Sequence, residues 1–197
     1  MSTATKPAAR PRQLSYEERC ARFPLDFTVD DQGDVLVPQS WRAANLRQII
    51  IPTVGGGQIA MVHRHALPVF DAWLGLLSQH GADKEILTFD GSYAPRLKRG
   101  VDLPTGNAPS KNTWGKLLSN HSRGTAIDLN AVWNRMGKPG AAAGERGSLD
   151  RVIWFARQVC VQVETPAGTV WNAGIVCGAD WSLKSRDDMH FEIGVWP

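Results

Sequence analysis

Ser119-Asn120-His121-Ser122-Arg123-Gly124-Thr125-Ala126-Ile127-Asp128-Leu129-Asn130 holds a His and an Asp joined by a glycine and a strand-like alternation. From Thr125 onward the pattern has period two. Thr125, Ile127 and Leu129 fall on one side, and Ala126, Asp128 and Asn130 on the other. Asp128 is thereby set apart from apolar Ile127 and Leu129, pointing from a sheet into a cleft. Gly124 admits a sharp turn just before the strand, so that His121 folds back toward Asp128.

A second stretch answers it near the C-terminus: Asp187-Asp188-Met189-His190-Phe191-Glu192-Ile193-Gly194-Val195. Met189, Phe191, Ile193 and Val195 make an apolar side, and Asp188, His190, Glu192 and Gly194 the other. Two His and one Asp from two strands supply three ligands to one zinc ion and leave a fourth position for water. That is the composition of a catalytic zinc site rather than a closed structural one. Asp187, three residues before His190, is then the candidate general base. Its rival is Asp188, which strict alternation puts on the His190 side. Glu192 shares that side, where it either orients a ligand or is a solvated strand acid.

The runs Ser119–Asp128 and Asp187–Gly194 together resemble the zinc D-alanyl-D-alanine carboxypeptidase and L-alanyl-D-glutamate endopeptidase family of cell-wall peptidases. Its pattern is Ser-x-His-x-x-Gly-x-Ala-x-Asp, then an acid-x-x-His near the C-terminus. The resemblance, over about Trp41 to Trp196, implies the fold shared with the Hedgehog signalling domain. It implies zinc ligation by His121, Asp128 and His190, with Asp187 favoured over Asp188 as base. It also implies an upstream Arg after a Gly-Tyr-like segment. Gly91-Ser92-Tyr93-Ala94-Pro95-Arg96 resembles that segment, so Arg96 would hold a substrate carboxylate or the developing oxyanion. Ser119 either binds substrate or fixes the turn before His121. The sequence departs from the family where relatives carry Trp-Gly-Gly-x-Trp: here Val176-Cys177-Gly178-Ala179-Asp180-Trp181 bears on substrate preference more than on the ligands.

The implied substrate is the peptide stem of bacterial peptidoglycan, cut between L-Ala and D-Glu or before a terminal D-Ala. Two rivals stand beside this reading. One is a thiol peptidase using Cys177, a residue that reads otherwise as small and buried. The other is a non-catalytic, zinc-stabilised cell-wall-binding or phage structural module. His63 and His65 alternate like a metal pair, but with no acid or Cys beside them they read as residues approaching a helix.

Composition narrows the field. A chain of 197 residues, 43% apolar, builds one well-buried core. The formal charge of +3 is accounted for by Lys6, Arg10 and Arg12, in a stretch without acids, so nothing calls for a nucleic-acid partner. The Cys at 20, 160 and 177 have no paired spacing and suit a reducing compartment. No segment approaches membrane-spanning length, and the N-terminus lacks a signal-peptide apolar core. For a cell-wall enzyme this points to release by lysis, as with a phage endolysin, or to partner-dependent export.

Residues 1–15 read as a disordered tail, and 16–197 as one domain with an N-terminal extension to about 40. Expected along it are a helix from Ser15 to Arg22 and a hairpin pairing 27–29 with 35–37. Strands at 49–51 and 60–62 precede a helix over 66–79. A strand follows at 86–89, then a long loop over 98–116 bordering the substrate groove. A flexible insertion spans 137–147. A helix capped by Ser148 buries Val152, Ile153, Ala156, Val159 and Cys160, and strands return around 170–171 and 175–176. Helices and short strands without regular βαβ alternation indicate an α+β fold, an antiparallel sheet with flanking helices.

Overall fold

A computed structural model of the chain describes residues 9–99 and 110–197. In order, the elements are β1 (Arg12–Gln13), α1 (Tyr16–Arg22), β2 (Thr28–Val29), β3 (Val35–Leu36), α2 (Gln39–Asn45), β4 (Leu46–Ile51), β5 (Gln58–His63), α3 (Leu67–Gln79), β6 (Phe89–Gly91), α4 (Lys111–Leu117), β7 (Ala126–Leu129), α5 (Asp150–Ala156), β8 (Val161–Glu164), β9 (Val170–Cys177) and β10 (His190–Val195). The main sheet runs β6-β7-β10-β9-β8, and every strand pair is antiparallel. Helices thus accompany antiparallel sheets, as the sequence pattern indicates. Among the described residues no helix is long and apolar enough to cross a membrane.

The two-residue period sorts the sheet. Ile127, Phe191, Ile193 and Ile175 enter the core, which α3 fills with Val69, Phe70, Trp73 and Leu77 and α5 with Val152 and Ile153. The Trp73 and Phe191 rings lie 4.7 Å apart. The alternate residues Asp128, His190 and Glu192 line a cleft instead. Both sides of β7 are therefore buried, although only one side is apolar. The register sets His190 directly opposite Asp128 and Glu192 opposite Ala126.

Several elements differ from the sequence expectation. Within the expected tail, Arg12 and Gln13 pair with Val195 and Gly194 of β10, and Leu14 joins the main core. Residues 1–8 of that tail lie outside the described residues. The strand expected at 86–89 starts only at Phe89. The Leu87 and Thr88 amides donate to the Asn130 side chain, at 2.8 and 3.0 Å, rather than to a neighbouring strand. Of the loop expected over 98–116, residues 100–109 lie outside the described residues, and 111–117 are helical, with Ser110 accepting from the Thr113 amide. Cys160 is exposed, because α5 ends before it. Met189 precedes β10 and lines the cleft.

Gly124 ties these parts together. It adopts φ +68°, and its carbonyl accepts from the His63 amide at 2.8 Å at the end of β5. A Cβ there would meet that same amide nitrogen at 2.9 Å. Gly124→Ala is therefore expected to cost about 2 kcal/mol, read as a lowered urea midpoint with an unchanged slope.

His63 makes a second prediction. It is fully buried against Phe23, its Nδ1 accepts from the His65 amide, and its Nε2 has no partner among the described residues. Burial, then His65, Arg64, Arg47 and Arg123, push its pKa down to about 3 from an ordinary 6.5. Above pH 6.5 the ring is neutral folded and unfolded. Below it the unfolded chain takes a proton that the folded chain refuses, so stability falls by up to about 1.4 kcal/mol per pH unit until about pH 3. His63→Leu is expected to flatten this acid-side slope in denaturation curves recorded from pH 7 to pH 4.

Candidate metal centre

The turn between α4 and β7 is built by short polar contacts. Ser119 caps a 3-10 turn at Asn120–Arg123, its Oγ accepting from the His121 amide at 3.3 Å. Gly124 closes the turn, and β7 then carries Asp128 to the cleft. Next door, β10 starts at His190. His121, Asp128 and His190 each offer a ligand atom, all within 4.8 Å of one another, a group that could hold a metal ion.

The donor set fits zinc. His121 directs Nε2 to Asp128 Oδ2 at 3.2 Å, and its Nδ1 lies 2.6 Å from the Ser92 carbonyl, to which it donates. His190 directs Nδ1 to Asp128 Oδ1 at 2.9 Å, and its Nε2 lies 3.1 Å from Glu192 Oε2. Each ring thus turns one nitrogen inward and engages the other with an acceptor, the arrangement that fixes the tautomer of a ligating histidine. Burial alone would raise the Asp128 carboxyl, but the two imidazoles outweigh it and hold it below the ordinary carboxylate range. Burial likewise opposes protonation of His190, and Asp128 and Glu192 on its two sides more than offset that.

The cleft beside this group has a volume of about 580 Å³. Asp187 and Arg96 both line it, as does Ser119. The Asp187 side chain is buried, and its Oδ1 has no hydrogen-bond partner among the described residues. Burial pushes its pKa up to about 6, against His190, which lowers it. Asp188 is differently employed: Arg186 donates to both its oxygens at 2.6 and 2.7 Å, and the Gly140 amide to one at 3.0 Å. The geometry thus separates two acids that alternation alone leaves competing.

Arg96 reaches the cleft through its backbone. Its amide donates to Ser122 Oγ at 2.9 Å, Ser122 Oγ donates to its carbonyl at 2.7 Å, and the Ser119 amide donates there at 3.0 Å. Burial and then Arg99 pull its guanidinium below the ordinary value, with Asp128 and Asp187 opposing them. Cys177 lies in the core rather than the cleft, with Sγ 4.0 Å from the Ile153 carbonyl, and burial pushes its thiol far up. A thiolate nucleophile there has no access to substrate. His63 and His65 stack with centroids 5.4 Å apart and are not part of the group of possible metal ligands among the described residues.

Sequence reasoning missed Gln13, Asn120 and Trp181. Gln13 donates to Glu192 Oε1 at 2.9 Å, Asn120 donates to Glu192 Oε2, and the Trp181 ring lies 5.3 Å from that of His190. Asn120 sits inside the quoted motif, so its position was legible and its partner was not. Gln13 gave no signal, since an isolated Gln in a polar stretch has no pattern.

Residues 112–193 match the model of the D-alanyl-D-alanine carboxypeptidase family. The matched segment contains His121, Asp128, Asp187 and His190, and leaves Arg96 and the N-terminal strand outside it. Neither curated proteins nor solved structures give a significant match. The family match supports a peptidase.

Proposed function

We propose that the chain is a zinc-dependent peptidase that hydrolyses the peptide stem of bacterial peptidoglycan, on a fold of the Hedgehog and D-alanyl-D-alanine peptidase type. The observation that carries this is the convergence of His121, Asp128 and His190 in one cleft with the buried carboxylate of Asp187, whose Oδ1 has no hydrogen-bond partner among the described residues. An ion-stabilised binding module needs the first three residues. It has no use for an unpaired buried acid, which costs folding energy.

His121 through Nε2, Asp128, and His190 through Nδ1 would hold the ion. When bound, zinc supplies Lewis acidity toward a water and a peptide carbonyl. Asp187 takes a proton from the attacking water as the new C–O bond forms. It returns that proton to the nitrogen as the C–N bond breaks, leaving a carboxylate and an amine. Arg96 presents its fork of donors to the substrate carboxylate or to the developing oxyanion. Ser119 orients the substrate backbone from the cleft wall. The bond cut is L-alanyl-D-glutamate or terminal D-alanyl-D-alanine, and mass spectrometry of the new termini of digested peptidoglycan distinguishes the two.

Asp187→Ala is expected to lower kcat by roughly 10²–10⁴-fold while zinc content and the far-UV circular dichroism stay at wild-type level. Peptide release at the wild-type rate would remove Asp187 from the mechanism, whereas no release by the zinc-loaded wild-type chain would favour the binding module. A chelator should abolish release, and added zinc should restore it, with Cys177→Ala behaving as wild type in both steps.

A further inference from the structure

β1 is two residues long, yet it delivers a side chain into the network behind the proposed metal ligands. β9 covers one edge of β10 along 191–195, so the other edge is shared: β7 pairs with 190–192 and β1 with 194–195. Gly194 admits this approach, because a Cβ at that position would fall 2.5 Å from the Arg12 carbonyl oxygen. The strand is fastened from outside by Arg12, which donates to both oxygens of Glu18 at 2.7 and 2.8 Å.

Glu192 is 2% exposed, and a carboxylate this deep needs its lone pairs filled. Its donors are His190 and Asn120 at Oε2 and Gln13 at Oε1. His190 and Asn120 belong to the segment that the family model covers; Gln13 lies about a hundred residues before it. Without Gln13, Oε1 loses its donor, and the carboxylate is free to rotate away from His190 Nε2.

We propose that Gln13 is a positioning residue of the metal centre. By holding Glu192 it keeps the His190 Nε2–H engaged and Nδ1 turned toward Asp128 and His121, so that the N-terminal strand completes the ion's binding site. This rests on the metal reading given above. Outer partners of metal ligands typically carry a tenfold to hundredfold effect on affinity.

The test is zinc affinity of the full chain, measured by competition with a chromophoric chelator, together with the visible spectrum of the cobalt-loaded protein. Glu192→Ala should weaken zinc binding by roughly 10–100-fold. Gln13→Ala should weaken it by about tenfold and alter the cobalt spectrum. Gln13→Lys, which keeps a donor facing Glu192, should restore both. Zinc affinity at wild-type level in Gln13→Ala, with Glu192→Ala impaired, overturns the proposal. So does equal loss in Gln13→Ala and Gln13→Lys, which would reduce the effect to strand packing. A wild-type chain that binds neither ion sinks the metal reading itself, and this inference with it.

Discussion

One carboxylate organises this molecule. Asp128 stands between two buried imidazoles, 3.2 Å from one and 2.9 Å from the other, one across the Gly124 turn and one on the neighbouring strand. Three polar groups at this depth are expensive unless each satisfies the others. Their mutual satisfaction depends on β7 and β10 pairing in a single register, since a one-residue slip would send Asp128 into the core and Ile127 into the cleft. The apolar half of the same strands, packed on α3 and α5, enforces that register. The chemistry of the cleft and the stability of the core are thus two faces of one alternating pattern.

That pattern explains what the sequence disclosed. The grouping of His121, Asp128 and His190 was legible because each lies in a short segment whose period and glycine dictate direction, and the antiparallel α+β architecture followed from the same strands. Elements whose reason lies elsewhere in the chain were not legible. β6 begins three residues later than Ile86 suggests because Asn130, at φ 52°, spends its side chain on the Leu87 and Thr88 amides. α2 and α4, seven residues each, carry too few apolar residues at helical spacing to reveal them. Asp188 is bonded by Arg186 and by the Gly140 amide, an engagement that strand alternation does not disclose.

Ser122 shows how the pieces on either side of the metal motif are held in place. Its hydroxyl accepts from the Arg96 amide and donates to the Arg96 carbonyl, so the segment carrying the cleft cation is bonded to the turn carrying His121. The Ala94 amide donates to the His121 carbonyl at 3.1 Å, and the Ser92 carbonyl receives the His121 ring. A displacement of this segment would therefore move a cation and release an imidazole together. Arg96 lies outside the family match, but its backbone is bonded to residues inside it.

The same coupling extends to the N-terminus, and there it has a thermodynamic form. An ion that binds only the assembled centre stabilises every contact needed to assemble it. β1 adds one such contact, through Gln13 to Glu192, and gains little from its own two-residue pairing. On the proposed metal reading, docking of the strand and binding of the ion draw on one free energy, and each favours the other by the same factor. Asp187 is the counter-example within the cleft: it is buried, its Oδ1 has no partner among the described residues, and the fold gains nothing by leaving it so. On the proposed reading, a carboxylate that costs stability beside the satisfied Asp128 and His190 is kept for what it does to a substrate.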